Sequence, residues 1–353
     1  MVSLLHSTEL GEQLFKIIIS LLEDPTTFSL DKITPVLVIL YTLADDTLNP
    51  DDPHPDSLTH HDQLLVIDSD GSLDAAVAIL AVLADPLWGA RVAALTCVRV
   101  NASAGVVGRG LVGVLRLAAR SEIPIYMGSP VDALQISNQQ VDDSNIINSK
   151  DSSEPKTKRK NWLSLNNLLK VNVNSSVTHK EHAAVYLSNL VQQNSGPGQG
   201  CYHHNNLEAM DSIATDPDSS AFVLRGAFVN NFKVTILPID TITNSFISKA
   251  WLASNLNTTS NPVVNFILTA ASLTEGDHWD IHALYAASLI LRPNKFVTLK
   301  SGEYFVDVEV TGKLTRGVMV TDYYNVTGRK ANAEIVFQVN RTAIESVVVE
   351  SFS

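Results

Sequence analysis

Asp68, Asp70 and Asp74 crowd into one short stretch, Ile67-Asp68-Ser69-Asp70-Gly71-Ser72-Leu73-Asp74, directly after the apolar run Leu64–Ile67. Three carboxylates this close repel one another unless a cation or a hydroxyl-rich ligand shares the loop. The same groups are also the usual bases for activating water. The simpler alternative is that Asp74 caps the following helix while Asp68 and Asp70 are solvated turn residues. Other chemistry-bearing residues are sparser. His278 and His282 stand one helical turn apart, and His179/His182 and His203/His204 form further pairs. No third ligand accompanies any of them in the sequence, so zinc is not expected. No glycine-rich phosphate loop follows a strand, and no Gly-x-Ser-x-Gly elbow occurs.

The acidic stretch must be positioned by its neighbours. Residues 64–67 read as a buried strand and 74–84 as a helix, so the carboxylates fall at the carboxyl end of a strand, where open α/β sheets bind ligands. The alternation continues with a strand at 91–98, a helix at 104–120 and a strand at 124–127. Further on come a helix at 180–193, a Gly/Pro/Asn break at 194–206, a strand at 233–238 and helices at 245–254, 262–272 and 280–291. The C-terminal part offers strands at 296–299, 304–310 and 334–338 and a closing helix at 341–350. The rhythm predicts an α/β fold with an open, mostly parallel sheet and flanking helices.

Two segments stand outside that rhythm. Residues 1–60 read as a helical extension (8–24 and 31–44) ending in a linker with three prolines between Asn49 and His61. Residues 61–353 form the main domain, interrupted at about 136–178 by a polar, Asn- and Ser-rich insertion. The basic run Lys156–Lys160 within it reads as a solvated linker rather than a nuclear address.

The chain has 353 residues, 45% hydrophobic, enough for a sizeable core. A net charge of −12 argues against nucleic-acid binding. Two cysteines, Cys97 and Cys201, cannot make a disulfide framework. No secretion signal and no membrane-length apolar run is read, so a cytoplasmic location without membrane association is expected.

Four stretches in order resemble the inosine-uridine-preferring nucleoside hydrolase family. Asp68-Ser69-Asp70-Gly71-Ser72-Leu73-Asp74-Ala75-Ala76 is similar to its Asp-Thr-Asp-Pro-Gly-x-Asp-Asp-Ala. Leu95–Asn101 looks like a second strand ending in Thr-Thr-Val-x-Gly-Asn. Trp279-Asp280-Ile281-His282-Ala283 resembles (His/Trp)-Asp-x-x-Ala, and Val306–Glu309 with Gly312–Gly317 resembles Val-Asp-Val-Glu, Gly, Leu-Thr-Arg-Gly. The resemblance implies hydrolysis of ribonucleosides, purine ones by the tryptophan, to ribose and free base with one Ca²⁺. It makes Asp70 the general base and a Ca²⁺ ligand and Asp280 a further ligand. Asp74 and Asn101 would hold ribose hydroxyls, Trp279 would stack on the leaving base, and Asp68 would brace the loop. The partner is then a small-molecule nucleoside, and a homo-oligomer is left open. The residues alone allow plainer roles: Asn101 and Asp280 as helix caps, Trp279 as core.

The departures from the pattern matter as much. Ala75 stands where the family has a metal-binding aspartate, and a methyl group coordinates nothing. Gly71-Ser72 replaces Pro-Gly. A central strand, its Gly-Pro-Leu-Thr-Asn loop and a Met-Gly-Gly strand have no counterpart after 180–193. Met210, Asp211 and Ser212 occupy the place of a ribose-binding Glu-Phe-Asn, with Glu208 two positions out of register. The alternative to an active hydrolase is therefore a catalytically impaired relative that serves as a binding or interaction protein.

Overall fold

The computed structural model describes residues 42–45, 64–97, 104–128, 169, 178–194, 199–206, 217–229, 233–243, 245–256, 261–274, 276–279, 281–292 and 298–353. In chain order the first elements are β1 (Thr42–Asp45), β2 (Leu65–Ser69), α1 (Leu73–Ala84), α2 (Pro86–Gly89), β3 (Val92–Cys97), α3 (Ala104–Leu117) and β4 (Ile125–Met127). Next come β5 (Thr178–His182), α4 (Ala183–Asn194), β6 (Gln199–Asn206), α5 (Pro217–Val229), β7 (Val234–Leu237) and α6 (Ile239–Thr243). β8 (Ile247–Ser248), α7 (Lys249–Asn255), α8 (Pro262–Leu273), β9 (His278–Trp279) and α9 (His282–Leu291) follow. The chain closes with β10 (Thr298–Tyr304), β11 (Val306–Val308), β12 (Met319–Thr321), β13 (Ala333–Val339) and α10 (Arg341–Phe352).

The architecture is α/β, and its strands are shared between two main sheets. One is all parallel in the order β2-β3-β4-β5. The other runs β1-β6-β7-β13-β10, with a parallel centre of β6, β7 and β13 and antiparallel strands at both edges. Apart from β1, which joins the second sheet, the division falls between β5 and β6 in the chain.

All five residues of β2 are buried, as a strand covered on both faces requires. Helix α1, Leu-Asp-Ala-Ala-Val-Ala-Ile-Leu-Ala-Val-Leu-Ala, is apolar nearly all round, and a helix of that kind must sit inside. It is sandwiched by α9, buried over its whole length, and by α10. Asp85 ends α1 and caps α2, its carboxylate accepting from the backbone N–H groups of Leu87 and Trp88, with Pro86 in the first helical position. Arg292, just past α9, reaches Asp85 at 3.1 Å and also Glu350 of α10, joining the ends of the three helices. A second core lies under β7, β13 and the β11–β12 hairpin, where α5 contributes Ala221, Leu224 and Ala227.

Several elements depart from the sequence expectation. Residues 42–44, expected as the end of a helix, pair with β6 as part of strand β1. Residues 199–206, expected as a break, form β6 because neighbours on both sides complete their ladders with it, and pairing overrides weak strand propensity. Helix α5 follows Asp216-Pro217, which reads as a turn but equally supplies a proline at a helix start. Residues 178–182 are a strand where the insertion was expected to end and a helix to begin. The segments at 8–24 and 49–61 and nearly all of 136–177 lie outside the described residues. No described helix is long and apolar enough to cross a membrane.

Candidate functional site

β2 carries Asp68 and Ser69 to the carboxyl edge of the parallel sheet. Asp68 is buried, and the Thr96 hydroxyl of β3 donates to it, tying the ends of the two strands. The Ser69 hydroxyl accepts from the Gly71 N–H at 3.0 Å. Gly71 has φ 71°, a left-handed conformation that glycine takes without strain, so the chain can turn sharply into α1.

Ser72 organises the rest of the loop. Its backbone N–H donates to Asp70 Oδ1 at 2.9 Å, and its hydroxyl donates to Asp74 Oδ1 at 2.6 Å. That hydroxyl also accepts from the Ala75 N–H, which makes Ser72, and not Asp74, the N-cap of α1. Asp74 is thereby released for a longer reach: its Oδ2 accepts from the backbone N–H of Ala283, 3.2 Å away in the first turn of α9. The N-cap of α9 is Ile281, which has no side chain that can satisfy the helix. The acidic loop supplies the missing acceptor, and a carboxylate at a helix N-terminus contributes on the order of 1 kcal/mol. Through this one bond the loop after β2 and the start of α9 form a single polar locus, far apart in sequence.

Asp70 is half-buried there. Burial above all, and then the Asp74 charge beside it, push its pKa up to about 6 against the lowering effect of the Ser72 hydrogen bonds. A carboxylate in that position is suited to holding a proton near neutrality, and a cation would relieve the same crowding. Next to Asp68, the Cys97 thiol is pushed up to about 12 by burial first and the Asp68 charge second, which makes it an inert core group.

On the far side, Trp279 is 2% exposed and lies in the main core, where β9 pairs with β8. Phe246 lies between two imidazoles, with ring centroids 5.6 Å from His278 and 6.2 Å from His282. Among the described residues no group of three or more His, Cys, Asp or Glu side chains is placed to hold a metal. Asn101, Asp280 and the stretch Met210–Ser212 lie outside the described residues. Sequence reasoning missed Ser72 as the hub of the loop and Thr96 as the anchor of Asp68. A serine just before the apolar run of α1 was the available signal for the first, whereas the second depends on strand register alone.

Against this geometry, the sequence pattern described as inosine-uridine preferring nucleoside hydrolase matches residues 212–346. Over that stretch the chain is similar to this nucleoside hydrolase family. It is 37% identical over 70 residues to a pyrimidine-specific ribonucleoside hydrolase, RihA, of Salmonella choleraesuis, covering 20% of this chain and 22% of that one. It is 27% identical over 167 residues to a non-specific ribonucleoside hydrolase, RihC, of Escherichia coli, covering 47% of this chain and 52% of that one. The chain thus spans between about a fifth and a half of the length of these curated relatives. The nucleoside hydrolase fold itself is evident in a solved purine-preferring ribonucleoside hydrolase of Gardnerella vaginalis. That structure superposes with a TM-score of 0.58 at 14% identity, over 81% of this chain and 97% of the other.

Proposed function

We propose that this chain binds a ribonucleoside over the acidic loop and hydrolyses its N-glycosidic bond to ribose and free base. The observation that carries the reading is the Asp74–Ala283 hydrogen bond, which joins the loop to the start of α9. Asp280 precedes Ala283 by three residues in the sequence, which supports assigning it to the same locus as Asp70 in this reading. In this reading Asp70 accepts the proton of the attacking water, and its charge steadies the oxocarbenium-like ribose as the base departs. Asp74 and Asn101 hold ribose hydroxyls; each Asp74 oxygen keeps a lone pair beyond its present bond. Asp68, held by Thr96, braces the loop.

The crowded donor chemistry of Asp70 fits a divalent cation, and Asp70 and Asp280 are the residues that would hold Ca²⁺. When bound, the ion would lower the pKa of an adjacent water and orient the ribose diol. Ala75, a buried methyl group in the first turn of α1, supplies no oxygen, so such an ion is held weakly. The names of the relatives span pyrimidine-specific, non-specific and purine-preferring enzymes. With Trp279 in the core, the purine preference has no support beyond the resemblance.

A second reading, a nucleoside-binding protein without turnover, is favoured by Ala75 and by the engagement of both Asp74 oxygens. Ribose released from inosine and from uridine separates the two. The hydrolase reading expects measurable release in the wild type and an increase of at least about tenfold on Ala75→Asp, which returns a carboxylate to the loop. Binding of nucleoside with no release from either protein would establish the second reading instead.

A further inference from the structure

In the free chain, the carboxylate proposed to hold ribose hydroxyls already holds a hydroxyl of its own. Ser72 Oγ donates to Asp74 Oδ1 at 2.6 Å. That length lies in the range of roughly 2.5–2.7 Å for a hydroxyl on a carboxylate, the bond a sugar hydroxyl would itself make. The two oxygens of Asp74 are not equivalent. Oδ2 accepts from the Ala283 N–H at 3.2 Å, and so serves a helix whose N-cap, Ile281, has no side-chain acceptor. Releasing Oδ2 would strip a backbone donor in the first turn of α9 and detach the loop from that helix. Oδ1 has no such duty, since its donor is a single side-chain hydroxyl two residues away. Oδ1 is therefore the oxygen that can yield to a ligand, and Ser72 is what a ligand meets there.

The hydroxyl of Ser72 can move without disturbing the loop. Ser72 and Asp74 are both half-buried, and Oγ swings between staggered positions by rotation about χ1 alone. Its other bond, accepted from the Ala75 N–H at 3.4 Å, is long. The backbone N–H of Ser72 stays on Asp70 Oδ1 whatever the hydroxyl does. With φ −64° and ψ 166°, the backbone there is ordinary extended chain that needs no side chain to hold its path. A ribose hydroxyl reaching Oδ1 meets one of two situations. It displaces Ser72, and the bond it gains is offset by the bond lost. Otherwise it takes the remaining lone pair, and two hydroxyls then share the charge of one oxygen. Both weaken the hold on the sugar.

We infer that the Ser72 hydroxyl is an internal competitor for sugar hydroxyls at Asp74 and so sets the affinity of the site for ribose. The inference rests on the nucleoside reading of this loop and adds to it a residue that opposes binding. In the empty site Ser72 keeps a crowded carboxylate hydrogen-bonded, and that bond is what the arriving sugar must replace.

Equilibrium binding of formycin B to the full chain tests this, because the carbon–carbon glycosidic bond of that ribonucleoside admits no turnover. Ser72→Gly removes the hydroxyl, and glycine serves almost as well at an N-cap. It is expected to bind formycin B about tenfold more tightly than the wild type, the size of one hydrogen bond to a charged group. Ser72→Thr keeps the hydroxyl and is expected to bind as the wild type does. With 2′,3′-dideoxyinosine, which has no ribose diol to offer Asp74, the serine and glycine chains are expected to bind equally, a result that mere loosening of the loop would not give. Equal affinity of the two chains for formycin B, weaker binding on Ser72→Gly, or the same gain with the dideoxy compound would overturn the inference and leave the nucleoside reading standing. Formycin B bound by none of the three chains would overturn both.

Discussion

Replacing Asn332 with leucine is expected to lower the free energy of unfolding by about 4 kcal/mol, because three buried backbone groups lose their only side-chain partner at about 1–3 kcal/mol each, less what relaxation recovers. Asn332 is fully buried, immediately before β13. Its Nδ2 donates to the carbonyls of Leu224 at 2.8 Å and Val306 at 2.9 Å, and its Oδ1 accepts from the Val306 N–H at 2.7 Å. The backbone of the same residue bonds to Val234 and Tyr304. One asparagine therefore joins α5, β7, β11 and the end of β10. Leucine fills the volume but satisfies none of these groups, and a loss of that size is a large fraction of the roughly 5–15 kcal/mol that holds a domain together. Urea unfolding followed by circular dichroism measures it. A loss below about 1 kcal/mol would mean that the second core does not depend on this clamp.

Asp70→Asn is expected to reduce ribose release by about a thousandfold or more, mostly in kcat, since an amide neither accepts a proton nor offsets positive charge on the sugar. In metal-free protein the wild-type carboxyl titrates at about 6. Above that pH it is ionised and able to serve as base, and a cation bound to it would carry the ionised form to lower pH. The same shift acts on stability with the opposite sense. Folding disfavours the charged form, so the cost is full above about pH 6 and disappears below the ordinary aspartate value of 3.8. Chelated wild type should thus gain stability on acidification through this window, while Asp70→Asn should not. An asparagine variant with undiminished release would remove Asp70 from the reaction.

How much of this could be read from the chain depended on where the determinants lie. β2, α1 and α9 were legible because their signals are local: an unbroken apolar run, a serine before a helical pattern, and apolar spacing that continues around the whole cylinder. α5 was hidden by Asp216-Pro217-Asp218-Ser219-Ser220, whose turn-like composition also suits a helix start. β6, with Gly200, two histidines and two asparagines, has almost no intrinsic strand preference and exists through pairing on both sides. The acidic residues of the site were conspicuous, but their wiring was not. Nothing in sequence near Asp74 announces that its partner is the Ala283 N–H, a contact made only when α1 and α9 pack together. Asn332 was equally silent, being one asparagine among many until the burial of α5 and β11 around it makes its amide indispensable.

The proposed chemistry depends most heavily on Asp70 and Asp280 serving one cation beside the ribose. Calcium titration by calorimetry addresses that directly, using the full chain as wild type, Asp70→Asn and Asp280→Asn. Saturable binding at or tighter than about millimolar, the weak end of natural Ca²⁺ sites, is expected for the wild type, with the heat abolished by either substitution alone. Binding that survives both substitutions, or no saturable binding in the wild type, would contradict it.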